Sequence, residues 1–501
     1  MGAGFFSSSM RKINHHLLLP TLLLLIFWGS RLPALDALPL HNDEGLHLFR
    51  AIQVWDLHPF WQIDDGKIIN HWLIAFFMPQ NAPVFSGRIA TIFTGMLGLA
   101  ASYAIAQRDF DLRAALLASG LWLTSPYLFF YERLALSDAQ AGAWVMVTIW
   151  AALRLARHNR TRDAMLTGVV LGLAALFKLT AAPFILSVAV IILLIGNTDL
   201  RQRLTDMLAI GAIVMLLFSI PVAYLALRGT GLFDIALAWI NPSGSSSESL
   251  ALTANLERMA AQLFDFGNPL PHIIMLTGLA LLIITGRNGR MLLLAVALPV
   301  LAIVTLGSEV MPRHYVVALP FMFTLAGVGL SAGMQKINAS RWQAIITGII
   351  LFALVSVFVP FMRTAFQQPA NLKLPLLVRQ QYVTEHSAGF GLREAVAALP
   401  QVVTLPDTPI IGSMTRDSCR RANFYAETGL VLQCVNAPGS DEIMRQLEDN
   451  GVVYVLVEET PGIGADVTTF NARALRIAAY PRPGETIDSA SVTLWLLEKA
   501  P

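Results

Sequence analysis

The sequence predicts a multi-pass α-helical membrane protein with a C-terminal extracytoplasmic α/β domain. Three observations predict it. Hydrophobic residues make up 55% of the 501-residue chain and charged ones only 14%, against about 25% charged in an ordinary globular domain. Long uncharged runs recur from about residue 16 to about residue 362. After Arg363 the composition turns to that of a soluble domain. The net charge of +2, with no run of like charges, excludes the large basic surface that nucleic-acid binding needs.

A helix needs about 20 mainly apolar residues to cross a bilayer, and on that measure the chain holds about eleven spans. They start with "HLLLPTLLLLIFWGS", "VFSGRIATIFTGMLGLAASYAIA", "AALLASGLWLTSPYLFF" and "AGAWVMVTIWAALRLA". The next apolar run, Ala164 to Gly196, is too long for one span, and Lys178 with Pro183 marks a reversal within it. Later spans begin near Met207, His272, Met291, His314 and Ala344.

Basic connections set the orientation. With the N-terminus inside, the cytoplasmic pieces are Arg11/Lys12, "QRDFDLR", "RLARHNRTRD", "NTDLRQRL", "GRNGR" and "QKINASR", each of which carries two or more Lys or Arg. The opposite connections are longer and mixed in charge: loops 36–86 and 228–270, "SEVMPRHY", and everything after residue 362. The chain therefore divides into a membrane domain, 1–362, and an outer domain, 363–501, in a cell (plasma) membrane.

In the outer domain, "TPIIGSM", "VVYVLVEE" and "SVTLWLLEK" read as buried strands, and "CRRANFYAETG" and "DEIMRQLEDNG" as amphipathic helices. Their alternation predicts a small α/β unit. Cys419 and Cys434 are the only cysteines, and spacing leaves their pairing open. "NPSGSSSESL" in loop 228–270 reads as a flexible linker, placed to gate access from the outer face.

Charged groups next to a membrane must pair or line a wet cavity, so their placement is informative. Asp43, Glu44, Asp64, Asp65 and Lys67 lie in the first outer loop, and Arg88 starts the second span. Glu132, Arg133, Asp138, Lys178, Arg313 and His314 fall at helix ends on the same side. Carboxylates suit proton abstraction from a hydroxyl, and cations suit a departing phosphate. "HNDEGLH" admits two other readings: a helix cap with first-turn charge, or a weak metal site at Glu44-x-x-His47 spacing.

The order of these features resembles the polyprenyl-phosphate-sugar-dependent membrane glycosyltransferases of the protein O-mannosyltransferase and lipid A aminoarabinose transferase type. The resemblance rests on the acidic pair after the first span, "SGRIATIFTGML", "YERLALSDAQAGAW", "GLAALFKLTAAPF", "PRHYVVALPFMFTLAG" and "QYVTEHSAGFGLREAVAALP". It implies an enzyme that moves a sugar from a polyprenyl-phosphate donor to a hydroxyl acceptor of the cell envelope; inversion of the anomeric centre follows if one base serves one displacement, by analogy with inverting glycosidases. By the same resemblance, Asp43 is the base and Glu44 its support. Lys178, Arg313 and Arg88 are the donor-phosphate contacts, and Asp65, Glu132 and His314 shape the site. No metal or other cofactor is implied. The chain departs from the family at "KIINHWL", where a Pro-Pro-Leu stretch is usual, and the resemblance assigns no role to His41 or His47.

Two rival readings come from other classes. A lipid or sugar flippase would bury charges mid-span along a path open to each face in turn. A non-catalytic assembly subunit would use the outer domain to bind a partner.

Overall fold

The computed structural model describes residues 15–499, apart from 64, 78–81, 233, 236–251, 307–309, 406–407, 427–431, 437–438 and 460–463. Asp64 and the linker "NPSGSSSESL" therefore lie outside the described residues, and with them the gating expectation for loop 228–270.

The membrane part opens with α1 (His15–Arg31), followed by α2 (Asn42–Trp55) and α3 (Ile68–Phe76) in the first loop. Then come α4 (Pro83–Asp109), α5 (Leu112–Thr124), α6 (Pro126–Glu132), α7 (Ser137–His158) and α8 (Thr161–Phe177). Short α9 (Ile185–Val190) leads to α10 (Leu200–Leu227), α11 (Leu252–Asp265), α12 (Leu270–Leu282), α13 (Arg287–Leu306), α14 (Leu319–Met334) and α15 (Ser340–Gln367).

Five helices among the described residues are long and apolar enough to cross a membrane, or seven if two bent pairs each count as one span. One such pair, α5 with α6, bends by 63° at Ser125-Pro126, where Pro126 cannot continue the hydrogen-bond ladder. Other stretches among the eleven expected spans fold as shorter apolar helices: Leu17–Arg31, Leu179–Ile195 and Leu319–Met334. The protein is an integral membrane protein with a multi-pass helical bundle.

The reversal expected within 164–196 falls at Lys178, whose extended backbone (φ −163°, ψ 133°) ends α8. The chain then runs back, and the Asn197 amide donates to the Ala156 carbonyl at 3.4 Å, beside the far end of α7. Lys178 and Asp138 consequently share one end of the bundle with Arg88, while Arg108, Arg157 and Asn197 share the other.

The C-terminal part contains a five-stranded sheet in the order β2-β1-β3-β5-β4, built from β1 (Ile410–Met414), β2 (Leu432–Asn436), β3 (Val452–Glu458), β4 (Ala472–Ala479) and β5 (Val492–Lys499). β1 pairs in parallel with β2 and β3, while β5 runs antiparallel to both β3 and β4. Helices α17 (Leu392–Val402), α18 (Arg416–Tyr425) and α19 (Ser440–Asn450) accompany the sheet, with α16 (Leu376–Arg379) leading in from the membrane part. The central strand β3 is buried from Val453 to Glu458, as a strand covered on both faces should be. Cys419 and Cys434 form a disulfide that ties α18 to β2, with their Cα atoms 6.0 Å apart.

The C-terminal domain seats α18 on α2. Arg421 is buried and donates to the carbonyls of Leu40, Ser387 and His386. Gly45 makes room for it: a Cβ there would lie 2.7 Å from Arg421 Cγ. The Tyr425 hydroxyl accepts from the Leu40 amide at 2.5 Å, and Arg393 donates to the Asp36 and Ala37 carbonyls. The first loop is thereby held from above by the domain and from below by the bundle.

Candidate active site

"HNDEGLH" forms the first turn of α2. The His41 ring nitrogen accepts from the Asp43 amide at 3.1 Å, and the Glu44 carboxylate accepts from the His41 amide at 3.0 Å, a capping box. A helix turns about 100° per residue, so the two neighbouring carboxylates face different surroundings.

Glu44 points into the protein. Its two oxygens accept from Arg88 Nε and Nη2, each at 2.8 Å, and Oε1 also accepts from the Ala135 amide at 2.7 Å. Arg88 completes its five donors with the carbonyls of Leu35, Leu38 and Pro39. Both side chains have zero exposure. The expectation of Arg88 as a phosphate contact is corrected by this geometry: every N–H it owns is engaged by the protein, so it braces the first loop against α4. Glu44, equally saturated, is part of the same brace.

Asp43 points the other way and meets Arg313 at 2.6 Å, with both side chains partly exposed. Arg313 comes from the 3₁₀ turn Pro312–Val317 that precedes α14. Partial burial pushes the Asp43 carboxyl up, but the Arg313 guanidinium, helped by His41 and Lys67, overrides this and holds it well below the usual carboxylate range. Burial disfavours charge on Arg313, and Asp43 more than compensates, so its pKa is raised.

Lys178 reaches Asp138, in the first turn of α7, at 2.5 Å. Lys178, Arg313 and Lys67 all act electrostatically on His314, which burial and these cations keep neutral. Lys67 also pairs with Asp65 at 2.8 Å, and Asp65 holds Arg50 through two contacts of 2.9 and 3.0 Å. Tyr382 packs against His41 with ring centroids 4.5 Å apart. Of the residues predicted for the site, Asp43, Arg313, Lys178, Asp65 and His314 thus cluster at one end of the bundle. Glu132 stands apart from them: it closes on Arg31 at 3.0 Å and accepts from Trp122 Nε1 at 2.5 Å, a buried brace between α1 and the α5–α6 bend.

The sequence reading left Lys67, Asp138 and Tyr382 without a place in the site. Lys67 and Asp138 are visible in the sequence as charges, but the partner of Asp138 lies 40 positions along the chain and the local Asp65–Lys67 pair does not reveal what else Lys67 faces. Tyr382 carries no local signal, since only folding brings the domain-leading segment over α2.

A buried polar network lies behind α2. His47 Nδ1 and His71 Nε2 are 3.2 Å apart, and Arg50 Nη1 stands 3.3 Å from the same His71 nitrogen. Arginine can only donate, so His71 Nε2 accepts, and the neutral His47 must carry its proton on Nδ1 to share that lone pair. Burial first, then the nearby cations Lys67 and Arg50, hold the His47 pKa well below its usual value. His71 is lowered in the same way, by burial and Arg50. Among the described residues no group of three or more His, Cys, Asp or Glu side chains is placed to hold a metal ion.

Residues 65–224 match the protein family described as dolichyl-phosphate-mannose-protein mannosyltransferase. No curated protein sequence matches the chain. Among solved structures, ArnT from Cupriavidus metallidurans in the apo state superposes with a TM-score of 0.59 at 14% identity, covering 96% of this chain and 97% of that one. The same protein bound to undecaprenyl phosphate gives 0.56 at 16% identity, covering 97% and 98%. The oligosaccharyltransferase of Archaeoglobus fulgidus in its apo form gives 0.52 at 12% identity, covering 90% and 70%. The resemblance to polyprenyl-phosphate-sugar-dependent membrane glycosyltransferases therefore stands on a family match within the membrane part and a fold shared over nearly the whole chain.

Proposed function

We propose that the protein is an inverting glycosyltransferase. It moves a sugar from a polyprenyl-phosphate donor to a hydroxyl on an envelope glycolipid, polysaccharide or protein, at the outer face of the cell membrane. The observation that carries the reading is the Asp43–Arg313 ion pair at 2.6 Å, flanked by the Lys178–Asp138 pair at 2.5 Å. Asp43 and Asp138 thus stand beside Arg313 and Lys178 on one patch, carboxylates for the acceptor hydroxyl and cations for the phosphate. The Cupriavidus relative is described with undecaprenyl phosphate, a lipid phosphate of the class proposed here as leaving group.

In this mechanism Asp43 takes the proton of the acceptor hydroxyl as its oxygen bonds to the anomeric carbon. The bond from that carbon to the phosphate oxygen breaks, and polyprenyl phosphate departs. A single displacement inverts the anomeric centre. Arg313 and Lys178, with Lys67 as a third cation, stabilise the negative charge growing on the phosphate.

The Asp43–Arg313 contact couples binding to chemistry. Held by Arg313, Asp43 is a weak base. A donor phosphate that draws Arg313 toward itself raises the basicity of Asp43 when there is a sugar to transfer. Asp65 keeps Lys67 in place, and neutral His314 separates the cations without adding charge. Glu44 and Arg88 hold the turn that presents Asp43.

The distribution of charge speaks against a flippase. α4 carries no charged residue between Arg88 and Arg108, and α7 none between Asp138 and Arg154. The basic connections at the other end and the Cys419–Cys434 disulfide both support an outer placement for the site and the C-terminal domain. The test is acceptor-dependent release of polyprenyl phosphate by purified protein offered a panel of polyprenyl-phosphate sugars and envelope acceptors. Donor binding without release from any member would turn the reading toward transport.

A further inference from the structure

At the end of the bundle opposite Asp43 and Arg313 lies a cavity of about 380 Å³. The 19 residue steps of α7 from Asp138 to Arg157 set it about 28 Å from the Lys178–Asp138 pair. Its wall is apolar, with Ile105, Leu153, Leu292, Phe321 and Leu325 among its lining. Its rim is polar: Arg108, Asp109, Arg157, Asn197 and Asn288.

The five rim residues come from four Arg-containing connections or their edges. Arg108 and Asp109 belong to "QRDFDLR", Arg157 to "RLARHNRTRD", Asn197 to "NTDLRQRL" and Asn288 to "GRNGR". Four connections distant in sequence thus converge on one opening. The rim is net cationic, since Asp109 pairs with Arg157 while Arg108 points its Nη2 to His158 at 3.2 Å. Arg203 stands beside Gly196 and donates to the Leu193 and Thr198 carbonyls, adding a further positive charge next to the rim.

From this juxtaposition we infer that the cavity is a binding site for an anionic phospholipid of the inner leaflet, separate from the proposed transferase site. The phosphodiester lies against Arg108 and the amides of Asn197 and Asn288, and the upper part of one acyl chain fills the apolar wall. The pairing of a positive rim with an apolar interior selects a lipid over a free anion. A cationic rim near the cytoplasmic surface also favours an anionic over a zwitterionic headgroup.

The test uses the purified full-length protein and native mass spectrometry in mixed micelles of phosphatidylglycerol and phosphatidylcholine. Two variants at exposed positions probe the rim: Arg108→Glu reverses its charge, and Asn288→Trp blocks its mouth; thermal unfolding checks that both remain folded. The wild type should retain one phosphatidylglycerol per chain in at least about tenfold preference to phosphatidylcholine, and each variant should lose about tenfold of that retention. Equal retention of the two lipids, or retention unchanged in both folded variants, would overturn the site. Displacement of the lipid by millimolar glycerol phosphate would also overturn it, by showing that the headgroup alone is recognised. None of these readouts depends on transferase activity.

Discussion

Glu44 and Arg88 close on each other through two charge-assisted hydrogen bonds of 2.8 Å with neither side chain exposed, while the adjacent Asp43 faces Arg313 at 2.6 Å in a partly open setting. One helical step separates a structural carboxylate from the proposed base. The two should respond differently to the same substitution. Removing one partner of a buried pair leaves an uncompensated charge and costs about 3–5 kcal/mol, whereas the half-buried Asp43–Arg313 pair still reaches solvent and loses less when Asp43 becomes neutral. Unfolding of detergent-solubilised protein should therefore show Glu44→Ala strongly destabilised and Asp43→Asn close to wild type. Equal destabilisation by the two would remove the division of labour.

Arg313 holds the Asp43 pKa below the usual carboxylate range. A base must be deprotonated to act, so the acid limb of the rate profile lies at low pH in the wild type. In Arg313→Gln that limb should move to higher pH, because the stabilised carboxylate has lost its cation. The same variant should raise the donor KM by about tenfold or more, as expected for losing a hydrogen bond to a charged group. The pH dependence of kcat/KM measures both, and a donor KM unchanged in the variant would remove Arg313 from the phosphate site.

The His47–His71 pair makes stability depend on pH. Both rings are held neutral, with pKa values well below the unfolded value of about 6.5. Below that value the unfolded chain binds protons that the folded pair does not. The stability they protect is therefore complete above pH of about 6.5 and declines as pH falls toward their folded pKa values. His41, lowered to about 4, adds to the decline over the same direction of pH. The unfolding temperature should drop between pH 7.5 and 5.5, and the double variant His47→Gln, His71→Gln should show a smaller drop.

Cys419 and Cys434 are 15 positions apart and link α18 to β2, next to the α2 contact. Closing a loop of that length contributes about 3 kcal/mol in the chain-entropy account. Cys419→Ser should lower the stability of the C-terminal domain by about that amount, and reductant should shift the wild type toward the variant without shifting the variant further. Reductant-dependent unfolding curves of the two proteins test this.

Much of the architecture was legible because it follows from solvent chemistry. The apolar runs mark the bundle, Lys178 with Pro183 marks the reversal, and the alternating patterns around "VVYVLVEE" mark the α/β domain. β2 and β4 escaped notice because "LQCVN" is short and polar and "ARALRIAA" exposes alternate residues at the edge of the sheet. In the site, Asp43 and Glu44 are indistinguishable as letters; only the roll of α2 and the position of Arg88 on α4 separate them. Arg88 reads from its sequence position as a cation at a membrane surface, yet its five partners are set by the path of residues 35–44 and cannot be seen locally.

The most direct test of the account compares wild type with Asp43→Asn for acceptor-dependent release of polyprenyl phosphate, with donor binding measured on the same preparations. The account predicts that the variant binds donor and keeps its fold but loses release by at least about a hundredfold, the lower range of a general base's contribution. Release at the wild-type rate from the variant would contradict it and take the base away from Asp43.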